Sequence, residues 1–291
     1  MLTNNTIIID LDGTLLNKNK IIQDEDLKTL KFLSKYNSII IASGRHYLEI
    51  EELLKLYELN DIVEKLIICR NGQIIYDIKG KKIIQNITIN YNELAKIIHE
   101  LESNNIYWYL IQGNQLFCKR IKYNCLKYAD NGKYTINVIS DISELKDYSI
   151  EKFIINSNNL EELQNIEKKL KNDFNIDFFK IEREKKYNNK VYWQNNILPN
   201  NTNKYIAAQY IIQKLKLSKN IIAFGDGVND YELLLNSDIG ICMEHSCQEL
   251  KNISNFVTKS NNGFSFAIEK LIKKRYYYLN ISNLYYFFGI L

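Results

Sequence analysis

The chain has 291 residues, room for two domains, and its 46% hydrophobic and 25% charged residues exclude a disordered or fibrous protein. Lys and Arg number 38 against 34 Asp and Glu, a net +4 scattered except at Lys273, Lys274 and Arg275, which is no electrostatic footprint for nucleic acid. The five cysteines show no Cys-x-x-Cys pair and the three histidines (His46, His99, His245) no ligand spacing, so carboxylates must carry any chemistry. No secretory signal opens the chain and no run approaches the roughly 20 apolar residues of a membrane span, so a reduced, cytoplasmic setting is expected.

Thr6 to Leu11 reads as a β-branched strand that runs into Asp10-Leu11-Asp12-Gly13-Thr14. In open α/β sheets ligands bind outside the carboxyl ends of strands, and residues two apart share a side, so Asp10 and Asp12 can reach one reaction centre. One carboxylate can attack phosphorus to form an aspartyl-phosphate while the other gives a proton to the leaving alcohol and later takes one from water. Gly13 permits a sharp turn, and Thr14 offers a hydroxyl and a backbone N–H to phosphate oxygens. Asp24 to Tyr36 follows as a helix, Ser38 to Ala42 as a strand ending in Ser43-Gly44-Arg45, Tyr47 to Leu59 as a helix, and Leu66 to Arg70 as a strand ending in Asn71-Gly72.

From about Lys82 the strands become alternating and aromatic (Ile106 to Ile111, Gln115 to Arg120) between amphipathic helices at Asn92 to Ser103 and Asn159 to Asn172. That pattern fits an α+β unit on an antiparallel sheet, in which Tyr107, Trp108, Tyr109 and Trp193 read as core. Near Lys190 the first style returns: helix Asn203 to Leu215 with Lys204 at its start, strand Ile221 to Gly225, the loop Gly225-Asp226-Gly227-Val228-Asn229-Asp230, helix Asp230 to Leu235, strand Ile239 to Met243, and a last helix from Gly263 to Lys273. The expected fold is α/β: a Rossmann-like doubly wound parallel-sheet core (1–82 and 190–274) interrupted by an inserted α+β domain (83–189). An aromatic tail, 275–291, would pack on the core or on a partner subunit, with a homodimer allowed for.

Asp-x-Asp-Gly-Thr after the first strand, then Ser43, a lysine and the Gly225–Asp230 loop in that order, resembles the haloacid dehalogenase superfamily. The long insertion and Asn71-Gly72 resemble its Cof-type subgroup, with a type IIB cap covering the site, and the likeness spans about Ile7 to Leu271. It implies Asp10 as nucleophile, Asp12 as general acid/base, and Thr14, Ser43 and Gly44 on the phosphoryl group. Lys204 would offset the gathered charge, with Lys190 as the fallback, while Asn71 and Asn229 would face the phosphate or substrate. The cofactor implied is Mg2+, bound by Asp226 beside Asp10 and the main-chain carbonyl of Asp12, with Asp230 orienting a metal-bound water.

The implied activity is a magnesium-dependent phosphatase acting on a small-molecule phosphate ester: a sugar phosphate, pyridoxal phosphate or a flavin-nucleotide-like metabolite. A phosphosugar mutase and a non-catalytic sugar-phosphate sensor are the alternatives. The chain departs from the family twice. Asn201-Thr202-Asn203 stands where a glycine-rich turn is usual, and Glu244-His245-Ser246 stands where Gly-Asn-Ala is common. His245 reads there as a structural or surface residue.

Overall fold

A computed structural model describes residues 2–122, 125–126, 134–179, 185–187, 189–259 and 262–273; the aromatic tail lies outside these residues. In chain order the elements are β1 (Thr6–Ile9), α1 (Asp24–Leu33), β2 (Ser38–Ile41), α2 (Tyr47–Leu56), β3 (Leu66–Cys69), β4 (Ile74–Asp77), β5 (Lys82–Asn86), α3 (Tyr91–Ser103), β6 (Tyr107–Gln112), β7 (Gln115–Cys118), β8 (Thr135–Val138) and β9 (Lys152–Ser157). They continue with α4 (Leu160–Asp173), β10 (Ile176–Phe178), β11 (Lys185–Tyr187), β12 (Lys190–Pro199), α5 (Lys204–Leu215), β13 (Ile221–Gly225), α6 (Tyr231–Leu235), β14 (Ile239–Met243), α7 (Gln248–Ile253), β15 (Phe256–Thr258) and α8 (263–273). The chain divides into two compact units: Met1–Gly72, Tyr76–Lys82 and Asn203 onward form one, and Gln73–Ile75 with Ile83–Thr202 the other.

The first unit is built on a parallel sheet in the order β15-β14-β13-β1-β2, and a bridge between Ala42 and Ile68 sets β3 beside β2. Burial on both faces explains the unbroken apolar runs: Ile7, Ile8 and Ile9 are sealed from solvent, as are Ile39 to Ile41. Each such side chain contributes roughly 1.5–3 kcal/mol through burial, so these short strands are held by what covers them. β1 is central, in register with Ile221 to Phe224 on one side and Ser38 to Ile41 on the other. From β1 the chain works outward to β2, then re-enters at β13 on the opposite side and proceeds to β14 and β15. The strand order therefore reverses between β1 and β13, and a crevice opens at such a reversal beyond the carboxyl ends of the strands.

Local chemistry sets the helix ends in this unit. His46 Nδ1 accepts the Leu48 N–H at the start of α2. The start of α8 is capped from α1, where the buried Asp26 accepts the Ser265 N–H at 2.8 Å.

The second unit carries a sheet in the order β10-β12-β9-β6-β7-β8, with β11 also on β12; the pairings are antiparallel except β7 with β8. α3 and α4 cover one face, placing Leu94, Ile97, Leu163 and Ile166 on Trp108, Leu110, Phe153 and Ile155. Alternation sends Tyr107, Tyr109 and Ile154 to the opposite face, with Leu116, Cys118 and Cys125. The aromatic run of β6 is thus split between two cores, Trp108 on the helical side and its tyrosine neighbours on the other.

At the return to the first unit the backbone is tight. Gly72, at φ +103°, would place a Cβ 2.3 Å from the Asn203 carbonyl oxygen, just ahead of α5. Gly72→Ala is expected to destabilise the protein by about 2–4 kcal/mol through the left-handed backbone and the clash together, read as a lower midpoint in urea unfolding.

Candidate active site

β1 ends one residue before Asp10, and the chain turns at once: the Leu11 carbonyl accepts the Leu16 and Thr14 N–H groups. Gly13 sits in this turn at φ +91°, and a Cβ there would lie 2.3 Å from Asp226 Oδ2. Only glycine lets the first loop approach the carboxylate that follows β13. Thr14, buried, donates its hydroxyl to Asp226 Oδ1 at 3.2 Å.

Asp10, Asp226 and Asp230 converge beyond the ends of β1 and β13, with one oxygen from each within 4.8 Å of the others. Lys204, the first residue of α5, is fully buried; its ammonium donates to Asp10 Oδ1 at 2.6 Å and to Asp230 Oδ1 at 2.5 Å. A helix N-terminus disfavours a cation by about 0.3–1 kcal/mol, which two charge-assisted bonds in a dry site outweigh. Asn203 caps the same helix, accepting the Ile206 N–H at 2.9 Å, so it aims the lysine.

Burial pushes the Asp10 carboxyl well above the usual carboxylate range; Lys204 pulls it down, but Asp230 and Asp226 add to the rise. Burial alone would lower the Lys204 ammonium, yet the two carboxylates hold it above its ordinary value. Three carboxylates gather at the one Lys204 ammonium, so acidic groups outnumber the buried cation they surround. That excess, made of hard oxygen donors without His or Cys among them, fits a divalent cation of the Mg2+ type.

Asp230 also organises the loop. Its Oδ2 accepts the Asp226 and Gly227 N–H groups at 3.0 and 3.1 Å, tying the loop after β13 to the lysine on its Oδ1.

Asp12 faces elsewhere. Arg45 grips it in a fork, Nε to Oδ2 at 2.6 Å and Nη2 to Oδ1 at 2.7 Å, and Lys20 donates to Oδ1 at 2.6 Å. Burial would raise this carboxyl, but the bonds from Arg45 and Lys20 prevail and bring it down to about 2. With its side chain so engaged, Asp12 stands outside the carboxylate trio, and a metal could draw only on its main-chain carbonyl.

The remaining expected residues contact one another. Ser43, buried, accepts the Arg45 N–H on its hydroxyl at 3.2 Å, and its carbonyl accepts the Asn71 N–H at 3.0 Å. Asn71, in the left-handed region at φ 59°, accepts the Asn229 carboxamide at 2.9 Å, and a Cβ on Gly44 would come 2.9 Å from its Oδ1. The structure therefore gathers Asp10, Thr14, Lys204, Asp226 and Asp230 in one contact set. A second joins Ser43, Gly44, Asn71 and Asn229, and a third joins Asp12 to Arg45 and Lys20. Lys190, the fallback for Lys204, belongs instead to β12.

Arg45, Lys20 and His245 were not assigned site roles from sequence. Arg45 directly follows Ser43-Gly44, a signal of place though not of partner. His245 is exposed, as its reading as a structural or surface residue expects, and its Nε2 lies 3.2 Å from Asp226 Oδ2.

A doubly wound parallel α/β sheet with carboxylates gathered at its strand-order reversal is the setting of the site, and the chain belongs to the haloacid dehalogenase-like hydrolase family, which it matches over residues 7–268. It is similar to a 5-amino-6-(5-phospho-D-ribitylamino)uracil phosphatase of Bacillus subtilis (strain 168), 28% identical over 93% of this chain and 99% of that one. It is also similar to a pyridoxal phosphate phosphatase of Escherichia coli (strain K12), 21% identical over 91% of this chain and 97% of the other. A solved HAD subclass IIB sugar phosphatase shares the fold, with a TM-score of 0.72 at 17% identity over 92% of this chain and 98% of its own. The chain is accordingly a phosphoric monoester hydrolase of the HAD type, in the Cof-type subgroup.

Two outcomes test this electrostatic frame. Lys204→Met leaves Asp10 and Asp230 buried without their cation and is expected to cost about 3–5 kcal/mol in urea unfolding. The Asp12 carboxyl lies at about 2, below its ordinary 3.8, so its ion pairs stabilise the fold above pH ~4 and lose that contribution as pH falls through ~2. Arg45→Ala should therefore be less stable than wild type at neutral pH, the gap closing on acidification toward pH ~2 in a pH series of unfolding curves.

Proposed function

We propose that the chain hydrolyses a small phosphorylated metabolite through an aspartyl-phosphate on Asp10. The observation that carries this is the Asp10 carboxylate, held by Lys204 at 2.6 Å at the end of the central strand, beside two further carboxylates. Lys204 engages Oδ1, which leaves Oδ2 to attack phosphorus as the ester P–O bond breaks. Ser43 supplies a hydroxyl for a phosphoryl oxygen, Thr14 holds its own hydroxyl on Asp226, and Asn229 and Asn71 supply carboxamides. Mg2+ held by Asp10, Asp226 and the Asp12 carbonyl, with Asp230 behind them, would offset the repulsion between phosphate and carboxylates and keep Asp10 ionised.

Asp12 serves as the proton carrier. Held ionised by Arg45 and Lys20, it is set to take a proton from the water that cleaves the acyl-phosphate. To give one to the leaving alkoxide it must first loosen from that fork. The negative charge of the substrate phosphate favours this, because it raises the proton affinity of a neighbouring carboxylate.

As to substrate, the named relatives act on a phosphorylated ribitylamino-uracil and on pyridoxal phosphate, and this chain is assigned to the same range. That range covers sugar phosphates, pyridoxal phosphate and flavin-nucleotide-like esters.

The test is phosphate release from p-nitrophenyl phosphate and a panel of metabolite phosphates, with Mg2+ or with EDTA. Release is expected only with the metal and is abolished in Asp10→Asn, whereas Asp12→Ala should lower turnover by about 10²–10⁴-fold. Sugar-phosphate isomerisation without net phosphate release would replace this reading with a mutase.

A further inference from the structure

His245 occupies a turn that sequence alone leaves without a role. β14 runs parallel to β13, with Gly225 opposite Cys242, so the two strands end side by side. After Met243 the chain turns, closed by the Ser246 N–H donating to the Met243 carbonyl at 3.0 Å. His245 stands inside that turn. Its ring reaches across to the loop after β13, Nε2 to Asp226 Oδ2 at 3.2 Å, while Thr14 donates to the other oxygen, Oδ1, also at 3.2 Å.

Each oxygen of Asp226 therefore has a neighbour on a different loop, one from the turn after β1 and one from the turn after β14. A carboxylate gripped on both oxygens cannot rotate freely about its Cβ–Cγ bond. The loop behind it is fixed as well, by Asp230 accepting the Asp226 N–H at 3.0 Å. His245 is not itself in the carboxylate trio, so its contribution is to orientation rather than coordination. Groups that hold a ligating carboxylate in this way are worth about 10–100-fold in metal affinity.

We infer that His245 is a positioning residue: its imidazole orients Asp226 to receive the divalent cation of the site. The inference rests on the metal-dependent reading above and extends it to a residue outside the reacting groups.

The experiment is titration of the purified full chain with MgCl2 by calorimetry, and with MnCl2 by loss of the free-ion paramagnetic signal, both without substrate. His245→Phe keeps the ring volume and lacks the N–H; His245→Gln restores an N–H at similar reach. The Phe variant should bind either ion at least 10-fold more weakly, and the Gln variant should recover to within about 3-fold of wild type. Metal-free melting curves confirm that both variants fold. In turnover, the Phe variant should need correspondingly more Mg2+ for half-maximal rate, with kcat at saturating Mg2+ and the substrate KM little changed. Undiminished Mg2+ and Mn2+ binding by a folded Phe variant would overturn the role of His245 while leaving the phosphatase reading intact. A wild-type chain that binds neither ion would overturn both.

Discussion

Everything at the reaction centre depends on one buried ammonium. Lys204 is sealed from solvent between Asp10 and Asp230, and without it two carboxylates would face each other across a dry gap. An uncompensated buried charge costs several kcal/mol, comparable to much of a domain's net stability. The lysine thus joins three pieces of chain far apart in sequence: the end of β1, the start of α5 and the loop after β13. Three acidic groups outnumber its one cation, and that excess makes the place attractive to a divalent ion and to the phosphate such an ion accompanies.

The two aspartates of the first loop, two residues apart, show how strongly surroundings divide the work of identical side chains. Asp10 is enclosed, and burial with neighbouring carboxylates pushes its proton affinity up. Asp12, more open, is held by Arg45 and Lys20 and brought down to about 2. Burial and like charge act on the one, two cations on the other, and the same side chain is driven in opposite directions.

Much of this was legible before any coordinates. Motifs at strand ends follow from rules that act over a few residues: a β-branched run predicts β1, and the open-sheet rule points Asp10 at a crevice. What escaped were relations that only tertiary structure creates. The fork of Arg45 on Asp12 joins two loops, and the reach of His245 to Asp226 depends on β14 lying beside β13. The return to the first unit falls at Asn203, whereas composition shifts near Lys190. The reason is that β12 continues as one strand to Pro199, its Asn195-Asn196 pair held in register on Ile155 and Ile154 of β9 rather than forming a turn. The pairing of Asp12 was hidden for a similar reason, since strand alternation gives the side a residue starts from and says nothing of which cation will draw it away.

The central place of β1 has a consequence for how the chain is made. This strand is synthesised before the inserted unit, yet its neighbour on one side, β13, spans Ile221–Gly225 and emerges only after that whole unit. Until then β1 has only β2 for a partner, and its other edge, flanked by three consecutive isoleucines, waits unpaired. Non-local parallel pairing of this kind is slow and exposes a strand edge that other chains can join. Nascent chains cut short before β13 carry that open edge with Asp10 beside it, even where α5 and Lys204 are already made, so the strand that covers β1 also removes an edge that invites association.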